Sequence, residues 1–366
     1  MQLEWLRLEH FRNYPQLFLE GFSETNVFFG KNAQGKTNLL ESIYLLATLQ
    51  TLRPAANKDL VAWEKETAYL EGKLSYQDIH RTFSVQIHEK SKRPKINDKS
   101  IKKTKEYFGL MNVISFSPLD LQTLQGPPQN RRRYLDRALF HFDPMYAQEI
   151  GRYMRALIQR NAALKLEQNS QIEIWGEKLI QSGAYIVSKR LQFIEKLNTL
   201  TPCLYQEISG LDGTVEVRYE AVVSCPLNGS DEETIRQILS EEQRRLAWQE
   251  RKFKQSLVGP HRDEFSMYLN GKNFRTFGSQ GEQRTAILAL KLSELEALKR
   301  EKGIKPIFLL DDIASELDTD RRNFLFQSLR NKNVQVFVTT TDPENVNVNK
   351  NKAKMYKVHQ GSVTEV

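Results

Sequence analysis

The residues best suited to chemistry form one short motif near the amino terminus. Residues 30–37 read Gly30-Lys31-Asn32-Ala33-Gln34-Gly35-Lys36-Thr37 and satisfy the pattern G-x-x-x-x-G-K-[ST]. An apolar segment precedes the motif and a helical pattern begins at Lys36, which is the strand–loop–helix context of a phosphate-binding loop. In such a loop backbone N–H groups surround phosphate, Lys36 reaches the outer phosphates and the Thr37 hydroxyl binds Mg²⁺. An ordinary glycine turn before a helix is the competing interpretation.

A pair of carboxylates is the second candidate. The apolar segment 307–310 ends at Asp311 and Asp312, as expected of a buried strand that reaches a magnesium–nucleotide site. Asp311 would hold magnesium through water, and Asp312 would orient or deprotonate the attacking water. The two residues are the predicted catalytic pair, and Thr37 and Asp311 are the predicted magnesium ligands. Alternatively, the two aspartates cap the helix that follows.

The third candidate is the start of a predicted helix. The segment reads Ser279-Gln280-Gly281-Glu282-Gln283-Arg284, and the Ser279 hydroxyl, with the free N–H groups near Gly281 and Gln283, could bind an anion. Alone, Ser-x-x-Glu is a common capping box. In chain order, however, the phosphate loop, this helix start, the acidic pair and segment 315–318 resemble the layout of ATP-binding-cassette ATPases. In that layout the helix start cannot reach the γ-phosphate of its own subunit, so two copies would enclose two ATP molecules.

These candidates require an α/β scaffold, and the hydropathy pattern predicts one. Strands are expected over 1–29, a helix over 36–50 and antiparallel hairpins over 67–102. Helical patterns dominate 127–200, and a strand–helix–strand alternation begins near 266.

The order of these elements predicts two lobes. A cassette-type ATPase head with a mixed sheet, in which the phosphate loop and the acidic strand lie side by side, would comprise residues 1–115 and 256–366. A mostly helical lobe would be inserted at 116–255.

Composition excludes several classes of protein. The 366 residues are 40% hydrophobic and 27% charged, which is enough for a core. The sequence has no apolar run of about 18 residues, and its start lacks a signal peptide's apolar segment, so we expect a cytoplasmic protein without a membrane partner. Cys203, Cys225 and the six histidines lack the spacing of a metal site. The net charge of +8 favours a polyanionic partner, although basic proteins need not have one.

Several narrower stretches resemble the RecF family of bacterial recombination mediators, and the resemblance covers nearly the whole chain. Its ATPase motifs are shared with the heads of chromosome-maintenance proteins and Rad50. The stretches that are specific to it are Phe116–Leu121, Gly126–Pro128, Arg131–Asp136, Gly259–Asp263 and Ser279–Arg284.

This resemblance implies a function. A member of the family is an ATP-dependent DNA-binding homodimer that recognises gapped DNA and single-strand/double-strand junctions. With RecO and RecR, it helps RecA replace single-strand-binding protein during DNA repair, recombination, replication restart and the SOS response. The expected cofactors are ATP and Mg²⁺, and the expected location is the cytoplasm, in association with the nucleoid.

DNA contacts are predicted from the density of positive charge. One group lies in the basic hairpin, residues 90–105, and another begins the helical lobe. These side chains would neutralise phosphates without reading bases. A solvated face for the lysines, and pairing of the arginines with acids at the lobe junction, remain alternatives. The predicted DNA contacts are Lys92, Arg93, Lys95, Lys102, Lys103, Arg131 and Arg132.

Other positions follow from the resemblance to ATPase heads. Arg12 and Asn13 would approach the nucleotide from the opening strands, or would simply form a polar hairpin turn. A glutamine loop is expected within 110–125, where Gln122 and Gln125 are equal candidates.

Two departures from transporter ATPases predict a weak ATPase that works as a switch. The chain has Thr339-Thr340-Thr341 where many transporters carry a switch histidine, and a threonine cannot carry charge. Asp312 is one methylene shorter than the glutamate common in transporters. The missing histidine also argues against a transporter subunit. The chain between Gly35 and Ser279 is too short for the long arms of a chromosome-bridging head.

Overall fold

The structure is a computed structural model that describes residues 1–223, 227, 229–312, 317–346 and 352–366. Cys225 and the first two residues of segment 315–318 lie outside the described residues. The chain divides into two compact units. The first comprises Met1–Leu121, Leu204–Gly210 and Arg284–Val366, and the second comprises Gln122–Cys203 and Leu211–Gln283.

The strands are numbered in chain order. They are β1 (Gln2–Phe11), β2 (Tyr14–Glu20), β3 (Thr25–Phe29), β4 (Thr67–Tyr76), β5 (Ile79–His88), β6 (Ser91–Ile96), β7 (Lys99–Ser100), β8 (Val113–Phe116), β9 (Val215–Glu220), β10 (Glu264–Leu269), β11 (Lys272–Asn273), β12 (Ile307–Leu310), β13 (Val336–Thr340), β14 (Ala353–His359) and β15 (Ser362–Glu365).

The helices of the described residues are numbered in the same way. They are α1 (Lys36–Thr48), α2 (Gln122–Gln125), α3 (Pro128–Phe142), α4 (Pro144–Lys165), α5 (Asn169–Ser209), α6 (Glu232–Arg245), α7 (Ala247–Phe253), α8 (Phe274–Phe277), α9 (Gln280–Lys302) and α10 (Thr319–Asn331). Short 3₁₀ turns occur at Asn57–Leu60, Thr104–Glu106, Pro118–Leu121 and Pro343–Asn345. Within the described residues, no helix combines the length and the apolar character needed to cross a membrane.

The first unit contains two six-stranded sheets. The mixed sheet has the order β15-β14-β3-β13-β12-β8, with parallel pairing except between β14 and β15. The antiparallel sheet has the order β2-β1-β4-β5-β6-β7. The α/β class and the mixed sheet agree with the sequence prediction. The sequence predicted that the phosphate-loop strand β3 and the acidic strand β12 are neighbours. This prediction is wrong, because β13 lies between them.

Helix α1 packs against both sheets and lies at the centre of the hydrophobic core of the first unit. Its residues Leu39, Leu40, Ile43 and Leu46 are fully buried in one cluster with side chains from the two sheets. Burial of each such side chain contributes about 1.5–3 kcal/mol. The helix that begins at the phosphate loop is therefore fixed along its length.

The second unit combines helices with a three-stranded sheet. Strand β10 pairs antiparallel with β9 and β11, with Glu264 opposite Glu220 and Leu269 opposite Val215. Residues 256–283, which the sequence prediction assigned to the head, therefore group with the inserted lobe. A pairing between strands more than 40 residues apart carries no local sequence signal, which is why the boundary was misplaced.

Candidate functional site

The phosphate loop connects β3 to α1 through a conformation that two glycines make possible. Gly30 has a φ of 152° and Gly35 a φ of 112°. A Cβ atom on Gly30 would lie 2.4 Å from the carbonyl oxygen of Val358, and one on Gly35 would lie 2.5 Å from Nδ2 of Asn13. Larger residues would therefore collide with β14 or with the turn that carries Asn13, and the loop needs both glycines.

The ammonium of Lys36 lies inside the loop that it belongs to. Its Nζ donates to the carbonyl oxygens of Gly30 (2.7 Å) and Lys31 (2.8 Å). Burial lowers the pKa of Lys36, and the negative charges of Asp312 and Asp311 oppose this shift. The predicted phosphate ligand is thus close to both members of the predicted acidic pair.

The predicted magnesium ligands meet at one carboxylate oxygen. Thr37 Oγ1 donates to Oδ1 of Asp311 (2.8 Å), and Thr339 Oγ1 donates to the same oxygen (2.7 Å). Asp311 is only 9% exposed, so burial raises its pKa, although the hydrogen bonds from Thr339 and Thr37 oppose the shift. Three oxygen-bearing side chains from three elements therefore converge beside Lys36.

Thr339 is a site residue that the sequence interpretation missed. It was considered only as a replacement for a histidine, whereas its hydroxyl joins the two acids: it donates to Asp311 and accepts the backbone N–H of Asp312 (2.9 Å). The position of Asp312 is further constrained by its left-handed backbone, with a φ of 49°. No local signal in the sequence indicates this role, because it depends on the strand order, in which β13 lies between β3 and β12.

Arg53 is a second residue that sequence reasoning missed. Its guanidinium donates to Oδ1 of Asn38 (3.0 Å), and its charge lowers the pKa of Asp311 against the effect of burial. Arg53 lies in an exposed segment after α1 and belongs to no motif, so its sequence gave no signal.

The turn between β1 and β2 braces the phosphate loop. Asn13 donates through Nδ2 to the carbonyl oxygen of Gln34 (3.0 Å) and accepts from Nδ2 of Asn38 (2.8 Å). The Tyr14 hydroxyl donates to the carbonyl oxygen of Gly35 (3.0 Å). The Asn13 side chain therefore contacts the phosphate loop. Its predicted contact with nucleotide stays a prediction.

The Arg12 side chain, unlike that of Asn13, points away from the phosphate loop. Its Nη2 lies 2.9 Å from Oε2 of Glu41 on α1, and its Nη1 donates to the carbonyl oxygen of Asp59 (2.8 Å). Arg12 therefore ties the turn to α1 and to the 57–60 turn. Its contact with nucleotide also stays a prediction.

A second turn, between β14 and β15, holds the other side of the loop. The Gln360 N–H donates to Oε1 of Gln34 (2.9 Å), and the Gly361 N–H donates to the Gln34 carbonyl oxygen (3.3 Å). Gly361 has a φ of 77°, and a Cβ there would lie 2.1 Å from the Asn13 carbonyl oxygen. Gln34 is therefore held from two sides.

The start of α9 in the second unit has the capping-box geometry. The Ser279 N–H donates to Oε2 of Glu282 (2.7 Å), and the Glu282 N–H donates to Ser279 Oγ (3.3 Å). Ser279 is exposed and Gly281 partly exposed. The local structure matches the simple alternative for this motif, and the predicted contacts of Ser279 and Gly281 with a partner's ATP remain predictions.

Gln283 differs from its two neighbours because its side chain is buried. Its Nε2 donates to the carbonyl oxygens of Phe274 and Gly278 (2.9 Å each), and its Oε1 accepts from Nε2 of Gln125 (2.7 Å). In this conformation the amide supports the preceding turn, and the predicted contact of Gln283 with nucleotide stays a prediction. Gln125 is engaged in the same contact, which leaves the choice of glutamine-loop residue open.

Three of the predicted DNA contacts in the basic hairpin lie on β6, and they are divided between its two faces. Arg93 and Lys95 are exposed, as are Lys102 and Lys103 after β7. Lys92 instead points inward, and its Nζ donates to the carbonyl oxygen of Leu49 (2.8 Å). Because side chains alternate along a strand, Lys92 cannot share the solvent face of Arg93 and Lys95, and its assignment as a DNA contact is corrected.

Arg131 is also withdrawn from the predicted DNA contacts. It is 3% exposed, its Nε donates to Oε2 of Glu264 (2.9 Å), and its Nη1 donates to the carbonyl oxygen of Gly126 (3.0 Å). This pairing with an acid is the alternative that the sequence left open. Arg132 is partly exposed and donates to the carbonyl oxygen of Asp263 (3.2 Å), and burial lowers its pKa.

The segment Gly259–Asp263 has a structural role within the second unit. His261 hydrogen-bonds through Nδ1 to the Tyr153 hydroxyl and through Nε2 to the Ser256 carbonyl oxygen (3.1 Å), and burial lowers its pKa to about 4. Asp263 accepts from the Tyr219 hydroxyl (2.8 Å), and its buried position raises its pKa.

The donors around Asp311 fit magnesium. Thr37 and the two aspartates offer only oxygen atoms, and Mg²⁺ prefers one or two carboxylates supplemented by water and phosphate oxygens. Within the described ranges, no group of three or more histidines, cysteines, aspartates or glutamates forms an all-protein metal site. The site therefore matches a metal that arrives with a nucleotide.

Comparison with known proteins gives a consistent result. Residues 2–364 match the model of the RecF/RecN/SMC N terminal domain. A DNA replication and repair protein RecF of Geotalea uraniireducens is 38% identical over 346 residues, which is 93% of both chains. The RecF of an Exiguobacterium species is 37% identical over 371 residues, covering 99% of both chains.

Solved structures agree with the sequence relatives. A structure described as the recombination mediator protein RecF with ATP in the RecFOR pathway superposes with a TM-score of 0.91, at 32% identity, over 100% of this chain and 97% of that one. An SMC head bound to the winged-helix domain of ScpA has a TM-score of 0.55 at 13% identity, covering 100% of this chain and 97% of that one. The latter likeness concerns the fold alone.

Proposed function

The chain belongs to the RecF family of DNA replication and repair proteins, and from this premise we propose that it is an ATP-dependent DNA-binding protein of recombinational repair. The observation that carries the proposal is the convergence of Thr37 and Thr339 on one oxygen of Asp311, beside Lys36. This arrangement suits a magnesium–nucleotide complex, and the described residues that surround it supply phosphate ligands on one side and acids on the other.

In the proposed mechanism each residue has a defined task. The N–H groups of loop residues 30–35 and the Lys36 ammonium would hold the phosphates, and Thr37 and Asp311 would hold magnesium. When bound, the metal supplies positive charge that offsets the charge developing on the phosphate oxygens. Asp312 orients the attacking water, and Thr339 fixes both acids relative to Thr37.

We further propose that hydrolysis is slow. The single hydroxyl proton of Thr339 is donated to Asp311, and the Thr339 oxygen accepts from the Asp312 N–H. A hydroxyl with these partners has no proton left for the γ-phosphate and carries no charge. The ATPase then acts as a switch on DNA binding rather than as a motor.

The active form proposed here is a dimer on DNA. Ser279 and Gly281 of one copy would complete the ATP site of a second copy, because a helix amino terminus offers N–H groups to phosphate. Arg93, Lys95, Lys102 and Lys103 are exposed and would neutralise DNA phosphates. Gapped DNA and single-strand/double-strand junctions are the proposed substrates.

The proposed partners follow from the family. Relatives act in a pathway named for RecF, RecO and RecR, so we propose RecO and RecR as partners and RecA loading as the outcome. The proposed location is the cytoplasm, in association with the nucleoid.

The experiment that tests this function is a DNA-binding titration. Fluorescence anisotropy with a gapped duplex should show at least about tenfold tighter binding with ATP and Mg²⁺ than without them. The change Lys36→Ala should abolish the ATP effect, because it removes both the phosphate ligand and the contacts with Gly30 and Lys31. Lys65→Ala, at an exposed lysine outside the loop, is the matched control. Equal affinities with and without ATP in the unmodified protein would refute the proposal.

A further inference from the structure

The half-buried Lys92 and the buried Glu41 are charged residues of the first unit that have no task in the proposed mechanism. We propose that Lys92, Glu41 and Arg12 form a buried polar link that transmits nucleotide binding at the phosphate loop to the basic hairpin. This inference rests on the proposed function, since it names how the ATP site regulates the DNA-binding surface.

The first step of the link joins the phosphate loop to Arg12. Asn13 and Tyr14 hydrogen-bond to the carbonyl oxygens of Gln34 and Gly35, at the end of the loop that precedes α1. Arg12, the residue before Asn13, has a left-handed backbone with a φ of 55° and donates its N–H to the carbonyl oxygen of Leu60 (2.8 Å). A shift of the loop therefore reaches Arg12 through the adjoining backbone of one tight turn.

The second step joins Arg12 to Glu41. Oε2 of Glu41 accepts from Nε of Arg12 (3.0 Å) and lies 2.9 Å from its Nη2, and the Glu41 side chain is fully buried. Oε1 of Glu41 has no hydrogen-bond partner within the described part of the chain. A buried carboxylate is costly without compensating cations, so the position of Glu41 depends on those close to it.

The third step joins α1, the helix that carries Glu41, to the hairpin through Lys92. The Lys92 ammonium donates to the carbonyl oxygen of Leu49, which caps the carboxyl end of α1, where the helix dipole favours a cation. Burial lowers the pKa of Lys92, and the negative charge of Glu41 opposes the shift. Lys92 thus contacts the far end of the helix that begins at the phosphate loop.

The geometry of β6 connects Lys92 to the exposed surface. Arg93 follows Lys92 directly and Lys95 lies three residues along, and both point to solvent while Lys92 points inward. Because the three side chains alternate along one short segment of backbone, a displacement of the backbone at Lys92 would also displace both exposed cations. ATP at the loop would thereby set the position of the side chains proposed to hold DNA phosphates.

The test is hydrogen–deuterium exchange of the full chain, with and without ATP and Mg²⁺ and without DNA. In the unmodified protein, ATP should slow exchange both in the loop (30–37) and in β6, the latter by about fivefold or more. Lys92→Met keeps the aliphatic stem and removes the charge, and should retain the loop response while losing the β6 response. Lys92→Arg should restore the β6 response. The matched control is Lys90→Met, because Lys90 is an exposed lysine of the same hairpin.

The outcomes separate the link from the function on which it rests. A β6 response that persists in Lys92→Met, or that is missing in the unmodified protein although the loop is protected, overturns the link and leaves ATP binding intact. A loop that ATP does not protect overturns the proposed ATP site, and the link with it. Circular dichroism checks folding, and Lys92→Gln is a second neutral variant if Lys92→Met does not fold.

Discussion

At the scale of single residues, one carboxylate oxygen organises the site. Oδ1 of Asp311 accepts hydroxyl groups from the helix after the phosphate loop and from the end of β13. A hydroxyl that is committed to an acid in this way positions that acid without entering the chemistry itself. Thr339 is therefore a positioning residue in the proposed mechanism, while Lys36, Thr37 and the two aspartates face the nucleotide.

The change Thr339→Val tests this assignment, because it keeps the shape of the side chain and removes its hydroxyl. Asp311 loses a donor and the Asp312 N–H loses its acceptor. Since each such hydrogen bond contributes about 1 kcal/mol and about 1.4 kcal/mol is a factor of ten in rate, loss of the two bonds should lower ATP turnover about 30-fold. Steady-state hydrolysis measures this effect, and Thr339→Ser, which keeps the hydroxyl, should retain most of the rate. Equal rates for the valine variant and the unmodified protein would remove Thr339 from the site.

His261 yields a residue-scale prediction about acid stability. Its contacts fit the neutral ring, with Nε2–H donating to the Ser256 carbonyl and Nδ1 accepting from the Tyr153 hydroxyl. Because burial lowers its pKa from 6.5 to about 4, the stabilisation is complete above the unfolded value and is lost as the pH falls towards 4. Between pH 7.5 and pH 5 the loss should be about 2 kcal/mol.

Urea unfolding at these two pH values measures the loss. His261→Gln cannot titrate, so its free energy of unfolding should fall less between the two values than that of the unmodified protein. The same decrease in both proteins would show that His261 does not contribute to acid sensitivity.

At the scale of elements, two turns hold the phosphate loop from opposite sides. Gln34 accepts from Asn13 of the β1–β2 turn and is also bound by Gln360 and Gly361 of the β14–β15 turn. Neither turn belongs to a nucleotide-binding motif. The conformation of the loop therefore depends on segments at the two ends of the chain.

A glycine comparison tests whether the β14–β15 turn supports nucleotide binding. Gly361 and Gly303 both have left-handed backbones, but a Cβ on Gly361 would lie 2.1 Å from the Asn13 carbonyl oxygen whereas one on Gly303 would meet nothing within 4 Å. Each alanine variant should lose about 1 kcal/mol of stability from backbone strain, and Gly361→Ala should lose more because of the clash. Only Gly361→Ala should also weaken ATP binding, by about tenfold or more. A fluorescent-nucleotide titration decides this, and equal affinities for the two variants would contradict the bracing role.

Which parts of the site could be predicted from the sequence depends on how each strand or helix is recognised in it. The phosphate loop and the acidic pair were located because each follows an apolar strand, and parallel strands bring their carboxyl ends to one edge of a sheet. The position of β13 between β3 and β12 was missed because strand order has no local signature. Lys92 and Arg131 were misassigned because a count of charges does not indicate which face of a strand or helix is buried.

The burial of the Gln283 side chain could not be predicted from the sequence for a similar reason. Gln283 follows a capping box that predicts a helix start correctly, yet nothing in its own segment indicates that Phe274 and Gln125 would engage its amide. Local patterns thus identified the elements and the loop chemistry. Contacts between residues distant in sequence determined which of the neighbouring polar side chains face outward.

At the scale of the whole molecule, the central claim is that ATP joins two copies on DNA. One copy supplies the phosphate loop, Thr37 and the acids, and a second would supply the exposed helix start at Ser279. Ser279→Arg should leave ATP binding unchanged and prevent dimer formation, because a long cation blocks approach to the partner's site. Asp312→Asn should bind ATP, fail to hydrolyse it and accumulate as a dimer.

The most direct measurement is the molar mass in solution by light scattering, with and without ATP, Mg²⁺ and gapped DNA. The proposed function predicts the mass of one 42.6 kDa chain without ATP, and of two chains when ATP and Mg²⁺ are present, with further stabilisation on DNA. Ser279→Arg should remain at the mass of one chain under every condition. A mass that ATP does not change in the unmodified protein and in Asp312→Asn, with ATP binding verified in both, would contradict the central claim.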